Sequence, residues 1–204
     1  MLSLIRFADR TRAIADTGLD LLGVIEGARV PALETFDSIY SWYGAGRPEF
    51  RKAVAHLPFT FFPALPPAAE GIPRIETPSD PVEKFVAIHP FASALSKRWG
   101  LDNFRAVSAD LGVPVRWIAG PEEPLEEAER FDDLYDLACW LATARAYIGN
   151  DSGIAHLAAA VGTPVIAIFL STDPRIWAPR GSHVTVLENP AVEGVIGAVR
   201  RIMR

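Results

Sequence analysis

A parallel α/β sheet with helices on both faces is the fold class that this sequence of 204 residues predicts, and three observations carry it. Short apolar runs recur from residue 84 onward, each ending in polar residues, as buried parallel strands do. Stretches of helical length lie between them, amphipathic or rich in small residues, several closed by glycine. The two kinds alternate with short connections, the pattern of a sheet whose crossovers are helices.

In chain order, "KFVAIHP" (84–90) is the first such strand. "LDNFRAVSADLG" (101–112) is an amphipathic helix with a glycine stop, and "PVRWIAG" (114–120) a second strand. "DDLYDLACWLATA" (132–144) is a helix with an aspartate positioned as N-cap. "RAYIGN" (145–150) is a third strand, and "SGIAHLAAAVG" (152–162) a helix closed by Gly162 at the C′ position. "TPVIAIFL" (163–170) and "HVTVLEN" (183–189) complete the strands, and "AVEGVIGAVRRIMR" is a terminal helix.

The region before is different. From Pro58 to Pro81 the chain is proline-rich, which excludes regular helix and central strand and reads as a linker, packed locally by Phe59, Phe61 and Phe62. Within the first 57 residues, "LSLIRFA" reads as a strand, "DRTRAIADTG" as a helix, and "LDLLGVIEG" and "FDSIYSWYG" as further strands. The expected organisation is therefore an N-terminal α/β remnant over 1–57, a linker over 58–81 and the main α/β domain over 82–204. There is no internal repeat.

Composition narrows the function classes. The net charge of −5 lacks the basic excess of an electrostatic nucleic-acid binder. A single cysteine, Cys139, allows no internal disulfide; it reads as a buried helix residue and fits a reducing, cytoplasmic compartment. The longest near-apolar run, Leu157 to Leu170, is too short and interrupted to span a bilayer, though work beside a membrane is compatible with the sequence. The four histidines have no metal-ligand spacing, so no metal is expected.

Ligands of open α/β sheets bind beyond the carboxyl ends of the strands. Four loops should gather there. "GNDSG" combines two permissive glycines with Asn150, Asp151 and Ser152, and puts His156 on the first helical turn. The free amides of that helix start favour anions. Capping by Asp151 or Ser152 and a satisfied helix histidine explain the turn equally well on its own. "HPFASALSKRWG" offers Ser93, Ser96, Lys97 and Arg98, a diphosphate cradle or an exposed basic loop. "GPEE" offers Glu122 and Glu123, ribose acceptors or solvated charges. "STDPRIW" offers Thr172, Asp173 and Trp177. The chain has neither G-x-x-x-x-G-K-[ST] nor G-x-G-x-x-G spacing.

In this order, "HPFASALSKRWGLDNF", "IAGPEE", "LACWLATARAYIGNDSGIAHLAAAVGTPVIAIF" and "STDPRIWAPRG" resemble the C-terminal half of glycosyltransferase family 9, the ADP-heptose:lipopolysaccharide heptosyltransferases and their relatives. The resemblance covers about residues 84 to 189; "FDSIYSWYGAGRPEFRKAV" (36–54) is more weakly similar to the end of the family's N-terminal domain. It implies a GT-B architecture with a Rossmann-like C-terminal domain that binds a nucleotide-sugar donor, ADP-heptose foremost, and a lipid-linked glycan acceptor on the N-terminal side. Carried over by position, Ser93 and Lys97 would contact the diphosphate and Glu122 the ribose. Asp151 would meet the donor sugar, flanked by Asn150, Ser152, Gly153 and His156, while Thr172 and Asp173 would close the site. No cofactor or metal is required if Lys97 and the helix start neutralise the leaving diphosphate.

The family's opening strand–turn–helix, with its aspartate base, has no counterpart in "MLSLIRFADRTRAIADTG", and nothing marks Asp9, Asp16 or Asp37 as a substitute. The catalytic base is thus unassigned. A second reading follows from this departure: a non-catalytic nucleotide-sugar-binding or partner subunit. A shortened N-terminal domain also predicts uncovered apolar surface and self-association.

Overall fold

The computed structural model describes residues 12, 16–25, 27–63, 74–78 and 85–203. The strand expected at "LSLIRFA", most of the helix at "DRTRAIADTG" and residues 64–73 and 79–81 of the proline-rich segment lie outside the described residues. The chain divides into two compact units, residues 1–70 and 71–204.

The first unit contains strand β1 (Ile39–Ser41), helix α1 (Pro48–Ala53) and strand β2 (Phe59–Phe61). β1 and β2 pair in parallel, Ile39 opposite Phe59, with α1 in the crossover between them. Two expectations are corrected here. "LDLLGVIEG" is not a strand: Leu19–Leu21 form a 3₁₀ turn, and Gly23 and Gly27 take positive φ of 76° and 74°, which breaks an extended run. Gly23 is required where it stands, since a Cβ there would lie 2.7 Å from the Phe50 backbone nitrogen. Residues 59–61, expected within the linker, are paired instead: the two prolines that bound the run, Pro58 and Pro63, leave Phe59–Phe61 free to form β2.

Phe50 organises this unit. It is 2% exposed and meets Phe59 and Phe61 edge-on at 6.0 and 6.2 Å, in a cluster with Leu22, Leu33 and Val54. Apolar surface also stays open, as expected of a small unit: Tyr40, Trp42 and Phe62 are exposed, with Trp42 stacked on Phe62 at 5.3 Å.

The second unit is the expected sheet. Its strands are β3 (Val86–His89), β4 (Val115–Trp117), β5 (Ala146–Asn150), β6 (Val165–Phe169) and β7 (Val184–Glu188). They pair in parallel throughout, in the order β4-β3-β5-β6-β7. The helices are α2 (Leu101–Asp110), α3 (Leu134–Thr143), α4 (Gly153–Ala160), the short α5 (Pro174–Trp177) and α6 (Val192–Ile202). The sequence boundaries hold within one to three residues. Asp133 caps α3, accepting from the Tyr135 and Asp136 amides, and Gly162 closes α4 with φ 88°. Cys139 lies on α3 but is half-buried rather than buried.

Strand periodicity sorts the two faces. Val86, Ile88, Ala146, Ile148, Ile166 and Ile168 pack on the face covered by α2 and α6, with Phe104, Val107, Val195 and Val199. Ala87, Tyr147 and Val165 alternate to the other face, where α4 packs on β5 and β6 and against α3. On that face Tyr147 is fully buried, and its ring occupies the space where Gly149 has no side chain: a Cβ on Gly149 would lie 2.2 Å from the Tyr147 hydroxyl.

The strand order reverses direction between β3 and β5, after the chain has gone out to β4 and crossed back through α3. At such a switch point the connections leave in opposite directions and open a crevice at the carboxyl edge.

The Tyr147–Gly149 contact yields a test. Gly149→Ala is expected to cost about 1–3 kcal/mol by overpacking. The double variant Gly149→Ala/Tyr147→Phe should lose less than the sum of the single variants, since the hydroxyl is the nearest clashing atom; urea unfolding of the four proteins measures this.

Candidate functional site

The four expected loops do leave the carboxyl ends of β3, β4, β5 and β6. Three of them meet on one carboxylate. Asp151 follows β5 directly, and its amide extends the sheet ladder by donating to the Ile168 carbonyl at 3.0 Å. Its side chain is thereby held at the switch point, 7% exposed. Oδ2 accepts from Lys97 Nζ at 2.7 Å and from Thr172 Oγ1 at 2.7 Å. Lys97 ends the single 3₁₀ turn Leu95–Lys97 after β3, and Thr172 lies in the loop after β6. Ser171 and Ser96 hydroxyls, 3.3 Å apart, join the same two loops.

A buried carboxylate is tolerated only when paired and hydrogen-bonded, which Lys97 and Thr172 accomplish. The ammonium keeps two further donors after bonding Asp151. Asp151 is not the cap of α4. That position belongs to Ser152, whose side chain makes no capping bond. The α4 start therefore presents amides without a side-chain cap, at the positive end of the helix dipole and beside Lys97's loop. Gly153 is exposed at this point, and a side chain there would meet nothing within 4 Å.

His156, one turn into α4, has an exposed edge and hydrogen-bonds the Trp177 backbone of α5. Burial of the ring pushes its pKa below the ordinary value, against the opposing pull of Asp151. Ser93 is exposed at the bend before the Leu95–Lys97 turn.

Other expected site residues have different work. Asn150 is 0% exposed; its amide donates to the Pro90 carbonyl at 2.8 Å and its Oδ1 accepts from the Trp99 amide at 2.9 Å. It pins both ends of the Lys97 loop to β5 and positions that loop from beneath. Asp173 caps α5, and both of its oxygens bond the Arg175 guanidinium. Those bonds hold its carboxyl below the usual range and turn it toward its own helix. Arg98 lies over the Phe91 ring and donates to the Ala92 carbonyl at 2.8 Å. It shapes the loop rather than cradling an anion.

At the β4 end the structured acid is Glu123, while Glu122 is exposed. Glu123 Oε2 accepts from the Gly120 amide at 2.6 Å and from His89 Nε2 at 3.0 Å. Burial raises its pKa, but the bonds from His89 and Gly120, with the His89 and Arg98 charges, outweigh that and leave it lowered. The pair borders a cavity of about 210 Å³, lined otherwise by apolar groups including Phe131, Leu134, Leu137 and Ile154. A sequence signal for Glu123 exists in retrospect: an acid three residues after the loop glycine can fold back on that glycine's amide. Nothing in the sequence pointed to His89.

Glu123 binds fewer protons folded than unfolded, so it stabilises above its unfolded pKa near 4.5 and loses that contribution as pH falls through the lower folded value. The stability gap between the protein and Glu123→Gln should be widest near neutral pH and close below about pH 4. Urea unfolding across that range measures it.

The family model described as "Glycosyltransferase family 9 (heptosyltransferase)" matches residues 67–194. Lipopolysaccharide heptosyltransferase 3 of Escherichia coli is 31% identical over 121 residues, 50% of this chain and 36% of that protein. Lipooligosaccharide heptosyltransferase 2 of Haemophilus influenzae is 36% identical over 61 residues, 30% of this chain and 17% of that protein. The matches thus span well under half of these curated relatives. Among solved structures, the E. coli ADP-heptose lps heptosyltransferase II superposes with a TM-score of 0.58 at 15% identity, covering 68% of this chain and 55% of that one. The E. coli heptosyltransferase WaaC with ADP gives 0.50 at 18% identity, covering 76% and 54%. These two likenesses show the shared α/β fold. With its parallel sheet, its loop order and a family match over most of its length, the chain belongs to glycosyltransferase family 9.

Proposed function

We propose that the second unit binds a nucleotide-diphosphate sugar, ADP-heptose in the first instance, at the β3/β5 switch point, and that the protein transfers the sugar to a cell-envelope glycan such as lipopolysaccharide core. The observation that carries this is the convergence of Lys97, Thr172 and Asp151 beside the uncapped start of α4. A cation and free amides suit a diphosphate, and a held carboxylate suits the hydroxyls of a sugar. The neighbouring slot of about 210 Å³, apolar with Glu123 at its wall, has the size and lining of a base-and-ribose pocket. The ribose contact therefore moves from Glu122 to Glu123. The E. coli heptosyltransferase WaaC was solved with ADP, and the second E. coli neighbour is an ADP-heptose heptosyltransferase, which favours adenine over other bases.

The chemistry is a displacement at the anomeric carbon of the donor. An acceptor hydroxyl forms the new C–O bond, its proton passing to a base on the acceptor side or to water, as the bond to the diphosphate oxygen breaks and negative charge accumulates on the departing diphosphate. Lys97 and the α4 amides stabilise that charge in place, without a metal or other cofactor. Asp151 orients Lys97 and the sugar together. Among the described residues no helix is long and apolar enough to cross a membrane. The alternative reading is binding without transfer.

Calorimetric titration with ADP and ADP-heptose is expected to show binding at the same site. Lys97→Ala should weaken ADP by about 10- to 100-fold through loss of a charge-assisted bond. Asp151→Ala should weaken ADP-heptose more than ADP. Absence of binding to ADP-, UDP- and GDP-sugars alike, with no effect of Asp151→Ala, overturns the donor site. Turnover with a lipid-A or core oligosaccharide acceptor separates transferase from binding subunit.

A further inference from the structure

Inside the sheet edge, one pair of side chains is built with more care than a solvated loop needs. His89 is the last residue of β3 and lies on the face shared with Gly149 and Ala167, its register neighbours on β5 and β6. It is 5% exposed. A carboxylate can only accept, so the 3.0 Å contact with Glu123 requires the proton on His89 Nε2. The other ring nitrogen, Nδ1, is buried with no hydrogen-bond partner among the described residues. Burying an imidazole with one nitrogen unsatisfied carries a cost. The single polar tie it retains goes to Glu123.

That tie constrains the carboxylate. His89 Nε2 and the Gly120 amide both donate to the same oxygen, Oε2. Oε1 keeps both of its lone pairs, and the side chain as a whole borders the 210 Å³ slot. Two donors converging on one oxygen from a strand end and a loop backbone fix the plane of the group. A free glutamate on a surface loop would sample several rotamers and lose that freedom on binding. Arg98 and Tyr147 are the other charged or titratable groups whose fields reach Glu123, and neither replaces the His89 bond.

We infer that His89 is a positioning residue for nucleoside recognition: it locks Glu123 so that Oε1 is presented to the vicinal hydroxyls of the ribose, and thereby sets selection for the intact diol. This rests on the reading of the slot as a nucleoside pocket, and it assigns the diol contact to a two-residue unit contributed by β3 and the β4 loop.

The test compares ADP with 2′,3′-dideoxy-ADP, which lacks both hydroxyls, by calorimetry on the full chain. The protein should prefer ADP by roughly 10-fold or more, since hydroxyls bonded to a fixed carboxylate are lost in the analogue. Glu123→Gln should reduce that preference. His89→Leu should reduce it to within about threefold while leaving dideoxy-ADP affinity nearly unchanged, an outcome that a general loosening of the fold does not give. His89→Gln, whose amide can donate from the position of Nε2, should restore the preference. His89→Asn, whose amide is too short to reach, should not, and it serves if His89→Leu does not fold. A preference that survives in His89→Leu or His89→Asn, or equal loss of both ligands, overturns the inference alone. Failure of the unaltered protein to bind either nucleotide overturns the nucleoside reading beneath it.

Discussion

A carboxylate 7% exposed at the end of a central strand must be compensated, and most of the geometry of the second unit's carboxyl edge follows from how Asp151 is. Its two partners come from loops 54 and 21 residues away in sequence. Holding them close to Oδ2 draws the β3 and β6 loops over the β5 end. Asn150 supports this from below, since its two backbone bonds fix where the Lys97 loop begins and ends. Trp99, bonded to Asn150 through its amide and to the Pro190 carbonyl through its indole, anchors the same loop to the segment before α6. The polar cluster is thus tied into the apolar core beneath it, where Trp99 packs on Phe104 at 5.1 Å.

The positions of these groups depend on the sheet. Parallel strands buried on both faces tolerate no polar residue until their ends, so Val86–Ile88, Tyr147–Ile148 and Val165–Phe169 are apolar and His89, Asn150 and Asp151 come last. The reversal of strand order between β3 and β5 leaves room above those ends. Gly149 admits the Tyr147 ring, and Ser152, at the cap position of α4, makes no side-chain capping bond.

The first unit rests on a different constraint. Its described residues include a βαβ element packed around Phe50, the rings about it, and Leu22, Leu33 and Val54. Its glycines at 23 and 44 are shaped by Phe50: a Cβ at either would lie under 3 Å from it. Tyr40, Trp42 and Phe62 remain exposed beside it.

The sequence by itself determined the second unit's elements and their order, because buried strands, glycine stops and an aspartate cap are local features with local physical causes. It determined, too, that Lys97, Asp151 and Thr172 would share one edge, since alternation of strand and helix places all such loops together. Where a neighbour distant in sequence competes with a local signal, only the tertiary structure decided. Asp151 could have capped α4 and instead pairs with Lys97; Asp173 could have faced the site and instead binds Arg175; Asn150 holds backbone and is wholly buried. Glu122 and Glu123 are indistinguishable as letters, and the His89 imidazole, 34 residues away, distinguishes them. In the first unit the apolar run "LDLLGVIEG" carried a strand's composition, but Gly23 against Phe50 required a turn. Patterns with a period are read from the chain; choices between two partners for one polar group are settled only when the fold brings the second partner within reach.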